Sequence, residues 1–306
     1  MMDNPVVSVA MITYNHGAFI DEALTSVIEQ KIDLTYEIVI GDDASTDQTP
    51  EKLKEWQSRY PDQIKLLLRR KNEGMMENFL SVIESCQGKY IAFLEGDDYW
   101  TDKEKLATQT GFLEQNPNCS MVFGEVEIIH NETNQIIGLK SNNKDHRNYT
   151  LQEVVTRNPA NLMSAFFRNP NWEGRPAVFH QAPFGDWPLF ATLAEKGTIS
   201  YSPTIWARYR IHDRGVWQGG RAAKMHEREV QMLLIFQKNY SQYKRIIGKR
   251  LRRIQQAICD DYYRIRDYRT AFTSLKDAIR ITGFTQLMEW VPGLASFIGR
   301  LILDRR

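Results

Sequence analysis

Three carboxylates crowd the end of one apolar run: Glu95, Asp97 and Asp98 follow the residues YIAFL within four positions. Unpaired, these acids would repel one another and raise the free energy of the folded protein. The pattern therefore predicts a positively charged partner beside them, or else a solvated acidic turn. Because the run before them is typical of a buried strand, the first interpretation is favoured.

Two other apolar runs also end in polar residues. VVSVAMI (6–12) precedes TYN (13–15), and YEIVIG (36–41) precedes Asp42 and Asp43. Paired acids after a strand also occur in the receiver domains of signalling systems. That fold would require a Thr or Ser after its fourth strand and a Lys after its fifth, which this strand order fits poorly.

The elements that must position these residues alternate between strand and helix over the first hundred residues. Such alternation predicts an α/β fold with a mostly parallel central sheet and helices on both faces. Ligands of these sheets bind beyond the carboxyl ends of the strands, so the polar clusters should line one crevice. We expect a catalytic domain over 1–220, with halves 1–120 and 121–220, and a helical C-terminal region over 221–306.

Charge is distributed unevenly between these two regions. Residues 1–220 contain 21 basic and 30 acidic side chains, whereas residues 221–306 contain 18 and 8. The cluster KRIIGKRLRR (244–253) favours a solvated helix or contact with anionic lipid. Nucleic acid is not expected as a partner, because no recognised binding motif is present.

The segments TYN, DDAST and EGDD, in this order and spacing, resemble the GT-A glycosyltransferases of family 2 over roughly residues 6–215. The resemblance implies a Rossmann-like GT-A fold and transfer from a nucleotide-sugar with Mn²⁺ or Mg²⁺. It also implies that the metal contacts Asp98 and Asp97, because hard oxygen ligands suit these ions. His212 would complete the metal shell, and Arg210 would screen phosphate charge.

The same resemblance assigns roles to residues of the donor pocket. Asp43 would accept from the ring N–H of uracil or thymine, and Tyr14 would stack beside the base. Asn72 and Gly74 belong to a segment, NEG, that resembles the N-x-G of the family. The complete set implied for the nucleotide-sugar is Ile12, Tyr14, Asn15, Asp43, Asn72, Gly74, Asp97 and Arg210.

Asp186 in PFGDWPLF occupies the position at which inverting members have their catalytic base. Many relatives have Glu-Asp there, whereas this chain has Gly185 and Asp186. As a base, Asp186 would take the acceptor hydroxyl proton. The alternative is a helix N-cap.

The sequence thus predicts an inverting, metal-dependent glycosyltransferase that uses a UDP- or dTDP-linked sugar. Its acceptor would be a glycan or a lipid-linked sugar of surface polysaccharide synthesis. Two alternatives remain, a nucleotidyltransferase that makes sugar-nucleotides and a non-catalytic glycan-binding relative. The former usually opens with a Gly-rich basic loop, which ITYNHGAF lacks.

The expected location is the cytoplasm, with peripheral contact to the inner face of the membrane. Asp3 and Pro5 stand where a signal peptide would have its basic region. Three widely spaced cysteines indicate reduced thiols. The final segment LMEWVPGLASFIGRLILDRR (287–306) has an apolar face with basic flanks, which suits a helix lying in a membrane interface. The alternative is that this face packs on the catalytic domain or on a second copy of the chain.

Overall fold

The computed structural model describes residues 5–212 and 222–264. Contacts within the chain divide it into two compact units, Met1–Gln218 and Gly219–Arg306. The final segment 287–306, predicted to lie in a membrane interface, falls outside the described residues.

The first half of the larger unit alternates strictly between strand and helix. Each strand is a short apolar run, and each helix has an apolar stripe that it buries against the sheet. The elements are β1 (Val7–Thr13), α1 (Ile20–Ile28), β2 (Tyr36–Asp42), α2 (Thr49–Arg59), β3 (Ile64–Leu68), α3 (Met75–Ser85) and β4 (Tyr90–Glu95).

The second half of this unit is more irregular and contains short antiparallel strands. Its elements are β5 (Tyr99–Trp100), α4 (Lys105–Gln115), β6 (Cys119–His130), β7 (Ile136–Leu139), β8 (Arg147–Tyr149), α5 (Leu151–Val154), β9 (Phe166–Arg168), α6 (Asp186–Lys196) and β10 (Thr198–Ile211).

The ten strands of the described residues form one sheet in the order β3-β2-β1-β4-β9-β6-β10-β5, with β7 paired to β6 and β8 to β10. The pairs among β1 to β4 are parallel, as is β6 with β10, whereas β9 runs antiparallel to both of its neighbours. The prediction of a mostly parallel sheet with flanking helices is therefore confirmed.

Strand register brings the polar clusters to one edge of the sheet. Ile12 pairs with Glu95, and Thr13 pairs with Asp42, so the three strands end at the same level. Gly96 follows directly, and its backbone N–H donates to the Ile12 carbonyl at 2.9 Å. A Cβ at Gly96 would lie 2.9 Å from the Thr13 hydroxyl oxygen, so only glycine allows this close approach.

β10 is the longest strand of the described residues. It runs from Thr198 through TISYSPT and WARYRI to Ile211, with register shifts against β6 near Ile205. The bulged strand thereby runs from α6 to the acidic turn after β4. It brings His212 to the crevice.

One buried lysine lies in the core beside the sheet. Lys105, on α4, is fully buried and donates to Gln109 Oε1 at 2.7 Å, and its ammonium lies 4.1 Å from the centre of the Trp100 ring. Burial lowers the pKa of this ammonium well below its ordinary value. The thiols of Cys86 and Cys119 are also buried and free.

The described part of the smaller unit is a helical hairpin, α7 (Ala222–Asn239) and α8 (Lys244–Arg264). Apolar side chains from both helices are buried, among them Phe236 and Leu251. Arg245, Lys249 and Arg253 are exposed at four-residue spacing on α8, so they share one face of the helix. Across residues 5–212 and 222–264, none of the helices has both the length and the apolar character needed to cross a bilayer.

Candidate active site

Of the three carboxyl groups in the acidic turn after β4, only that of Asp97 has a lowered pKa. Burial and the nearby Asp97 and Asp186 charges raise the pKa of Glu95 to about 8. Burial together with Asp97 and Glu95 raises the pKa of Asp98 well above its ordinary value. For Asp97, burial acts in the same direction, but the hydrogen bond from His212 and the charge of His16 outweigh it and lower the pKa. Sharing protons in this way relieves the repulsion that the sequence implies.

Two imidazoles converge on the Asp97 carboxylate. His212 Nε2 lies 3.1 Å and His16 Nε2 3.6 Å from the same oxygen, Oδ2. Burial lowers the pKa of His16, which favours the neutral ring that can ligate a metal. His16 was not singled out from the sequence, although it directly follows the TYN segment.

Asp98 lies deeper than Asp97 and is only 1% exposed. Its Oδ1 accepts the backbone N–H of Arg210 at 2.9 Å. Its Oδ2 is buried and has no hydrogen-bond partner among the described residues. Asp98 therefore ties the acidic turn to β10, while Asp97, 18% exposed, faces the crevice.

The donor types present fit a divalent cation such as Mn²⁺. One carboxylate, two imidazoles and a buried oxygen without a partner lie around this turn, and Mn²⁺ accepts both oxygen and imidazole ligands. Within residues 5–212 and 222–264, no group of three or more His, Cys, Asp or Glu side chains is arranged to enclose a metal ion by itself. The protein thus offers a partial shell, which phosphate oxygens and water would have to complete.

Arg210 does not have the arrangement expected of a phosphate contact. Its Nε donates to the Asp97 carbonyl at 3.0 Å, and a terminal nitrogen lies 2.6 Å from a Glu22 carboxylate oxygen. The side chain is 5% exposed, and its guanidinium lies 5.2 Å from the ring centres of both Phe19 and Tyr99. In this structure it clamps the acidic turn to α1, because Nε and one terminal nitrogen are engaged by acceptors on Asp97 and Glu22.

The predicted base-reading residue, Asp43, organises the neighbouring loop. Its two carboxylate oxygens accept the backbone N–H groups of Glu73 at 2.8 Å and Gly74 at 2.9 Å. Asn72 donates from its amide to the Asp43 carbonyl at 3.1 Å. Gly74 has φ +93°, a conformation that L side chains rarely adopt, and there it begins α3. Asp43, Asn72 and Gly74 thus come together as the sequence predicted.

Tyr14 and Asn15 leave β1 beside this loop. Tyr14 is 44% exposed, so its ring is accessible to a planar ligand. Asn15 has φ +57°, and its side-chain oxygen accepts the backbone N–H of Thr46 at 2.8 Å. Asp42 is buried and hydrogen-bonded to both the backbone and the side chain of Ser45.

A cavity of about 260 Å³ opens beside the acidic turn. Ile12, Glu95 and Asp186 all contribute to its wall, so the predicted donor edge and the predicted base meet in one space. Its full lining is Ile12, Met75, Phe79, Glu95, Lys140, Asn158, Ala160, Asn161, Leu162, Met163, Phe184, Gly185, Asp186 and Tyr209.

Asp186 begins α6 at this cavity. Its Oδ2 accepts the Asn158 amide at 2.8 Å. Burial raises the pKa of this carboxyl, while the hydrogen bonds from Asn158 and from the backbone N–H groups of Trp187 and Asp186, and then the charge of Lys140, oppose that shift. The N-cap residue of α6 is Gly185, which has no side chain that could cap the helix. The raised pKa suits a group that accepts a proton near neutral pH.

Among the residues of this cavity that sequence reasoning missed are the polar Lys140 and Asn158. Lys140 ends NQIIGLK, which contains the short strand β7, and Asn158 stands in the polar loop TRNPAN; neither segment contains a recognisable motif. A lysine at the end of a short strand has no local signal for burial beside distant acids. Only the pairing of β7 with β6 places Lys140 there.

Residues 8–175 match the model of a family described as glycosyl transferase family 2. An uncharacterised protein of Mycobacterium tuberculosis is 34% identical over 215 residues, which are 69% of this chain and 60% of that relative. The chain thus spans less than two thirds of this relative's length. A UDP-Glc:α-D-GlcNAc-diphosphoundecaprenol β-1,3-glucosyltransferase of Escherichia coli is 34% identical over 45% of this chain and 51% of its own.

Among solved structures, the fold is similar to that of the mannosyltransferase PcManGT from Pyrobaculum calidifontis in complex with GDP-Man and Mn²⁺. The two have a TM-score of 0.57 and are 17% identical, over 97% of this chain and 81% of the other. At this identity the likeness bears on the fold alone.

Proposed function

Because the chain belongs to glycosyl transferase family 2, we propose that it moves a sugar from a nucleotide-sugar to a hydroxyl of a glycan or lipid-linked acceptor, with inversion at the anomeric carbon. The observation that supports this most is the shared cavity. It joins Glu95, at the start of the acidic turn, to Asp186, a half-buried carboxylate suited to accept a proton.

In the proposed step, the Asp186 carboxylate takes the proton from the acceptor hydroxyl. The acceptor oxygen forms a bond to the anomeric carbon, and the bond from that carbon to the phosphate oxygen breaks. The electron pair leaves with the nucleoside diphosphate. One base and direct displacement produce inversion, and the base typically contributes about 10²–10⁴-fold to the rate.

Asp97 and His212, with His16 beside them, are the proposed metal-holding residues. A bound Mn²⁺ or Mg²⁺ would neutralise charge on the departing diphosphate. Asp98 is proposed both to support this turn, since it is buried and accepts from the Arg210 backbone, and to offer the metal its Oδ2, which has no hydrogen-bond partner among the described residues. Tyr14 and Asp43 are proposed to contact the base, with Asn72 and Gly74 holding the wall of the pocket.

The likeness to the Escherichia coli enzyme supports a UDP-linked donor and a lipid-linked acceptor. We propose surface polysaccharide synthesis at the cytoplasmic face of a membrane as the setting. The exposed face of α8 formed by Arg245, Lys249 and Arg253 would attract anionic headgroups there. The alternative use of the C-terminal region is contact with a second copy of the chain.

A panel of UDP-, dTDP- and GDP-sugars with Mn²⁺ tests the proposal. Release of nucleoside diphosphate that depends on the enzyme, with a sugar added to an acceptor glycan, would support transfer. A sugar-nucleotide synthase would instead release pyrophosphate from a nucleoside triphosphate and a sugar 1-phosphate. A glycan-binding protein would bind sugars and release neither product. Either of those results contradicts the proposal.

A further inference from the structure

Lys140 is the one basic side chain in the described lining of the cavity that contains Glu95 and Asp186. It directly follows β7, and its ammonium lies 3.7 Å from the centre of the Tyr209 ring. A cation over an aromatic face is held by the ring quadrupole. Tyr209 therefore directs the ammonium into the cavity.

A buried carboxylate fixes the backbone that presents Lys140. Glu125 is 2% exposed, and it accepts the backbone N–H of Ser141 at 2.9 Å and that of Asn142 at 2.7 Å. The Tyr201 hydroxyl also donates to Glu125 at 3.0 Å. The two residues after Lys140 are thus anchored to β6 and β10, which limits where the lysine can reach.

The ammonium acts on the cavity acids through its field. Among the described residues, no ion pair within 4.0 Å and no hydrogen bond joins the Lys140 side chain to a carboxylate. The groups that face Asp186 are Glu95 from β4, Lys140 from the end of β7, Tyr209 from β10 and the Asn158 amide. Of these only Lys140 is cationic, and a nearby cation favours the charged form of a carboxyl group.

We infer that Lys140 is a positioning residue for the base: its ammonium holds Asp186 in the ionised form that accepts a proton from the acceptor. The inference rests on the function proposed above, in which Asp186 is the base. Burial pushes Asp186 towards its protonated form, and Asn158 and Lys140 are the side chains that oppose it. Asn158 supplies one neutral hydrogen bond, so Lys140 supplies the only full positive charge in this balance among the described residues.

The test compares Lys140→Met, which keeps the apolar stem without the charge, with Lys140→Arg, which keeps the charge. Lys144→Met is the matched control, because Lys144 is exposed in the same segment between β7 and β8 and does not line the cavity. Carboxyl ¹³C NMR of aspartate-labelled protein reports the titration of Asp186, with its signal identified by its loss in Asp186→Asn.

The Asp186 titration midpoint should rise in Lys140→Met, because the cation that favours the ionised carboxylate is gone. It should stay near the wild-type value in Lys140→Arg and Lys144→Met. An unchanged midpoint in Lys140→Met overturns the inference. Because this measurement needs no substrate, it gives an answer even if no donor is turned over, so its failure is distinct from failure of the proposed function.

The pH profile of kcat/KM gives a second readout once a donor is known. Loss of the charge should move the acid limb to higher pH by the same amount as the NMR midpoint. A Lys140→Met enzyme with a raised KM and an unmoved acid limb would show that Lys140 binds substrate, which contradicts a role through Asp186.

Discussion

Replacing Asp186 by Asn separates proton transfer from binding at this site. The side chain keeps its shape, and its remaining oxygen can still accept the Asn158 amide that now lies 2.8 Å away. The N-cap of α6 is Gly185, which the substitution leaves unchanged, so α6 should form as before. We therefore expect the fold and the affinity for nucleotide to be close to those of the wild type.

The size of the effect follows from the role of the base. A positioned general base contributes about 10²–10⁴-fold. At about 1.36 kcal/mol per tenfold change in rate, its loss raises the barrier by roughly 2.7–5.4 kcal/mol. Since burial raises the pKa of Asp186, the wild-type rate should fall as the pH drops through that raised value. The variant has no ionisable group at this position and should lose this acid limb.

The assay is steady-state transfer over a pH series, with nucleotide affinity measured by calorimetry. Glu195→Gln is the control, because Glu195 is exposed near the other end of the same helix. It should behave as the wild type does. An Asp186→Asn enzyme that bound donor poorly and kept its kcat would refute the assignment, and Asp186 would then be a binding or structural group.

Three further outcomes are expected. Chelation should abolish transfer, and Mn²⁺ or Mg²⁺ should restore it. The Asp97→Asn variant should require at least about tenfold more metal for the same activity. Full activity in excess chelator would contradict the metal assignment. Lys105→Met should be thermally more stable than the wild type at neutral pH. This gain should shrink as the pH rises towards about 10.4, because Lys105 of the unfolded wild type then also loses its proton. A gain independent of pH would show that Lys105 does not titrate differently on folding. The triple variant of Arg245, Lys249 and Arg253 to Gln should float less with anionic vesicles at low salt, and equal flotation with neutral vesicles would exclude the headgroup attraction.

The fold could be predicted because its information is local. Each apolar run that ends in polar residues encodes one strand of the crevice, and β1, β2 and β4 end as TYN, DDAST and EGDD suggested. The glycine at position 74 is local information of the same kind, because it allows the positive φ with which the chain enters α3.

What the sequence did not reveal depends on partners far along the chain. Arg210 was expected at a phosphate, but its backbone N–H meets Asp98 across 112 positions and its guanidinium meets Glu22 across 188. No motif reports that an arginine is already paired inside the protein. Lys140 likewise has no signature of its own, because its surroundings are made by the pairing of β7 with β6.

The reach of β10 has a consequence for synthesis on the ribosome. Once Asp98 has been made, the backbone N–H of Arg210, which donates to Asp98 Oδ1, is still 112 residues further along the chain. At about 5–20 residues per second, this delay is roughly 6–22 s. For the first part of this interval, until Phe166–Arg168 have been made, β4 also has no strand on its β9 side, and such an unpaired edge can join the edge of another chain. We expect the nascent N-terminal half to depend on chaperones during this interval and to gain nucleotide affinity only after β10 has emerged, which arrested nascent chains of increasing length would report.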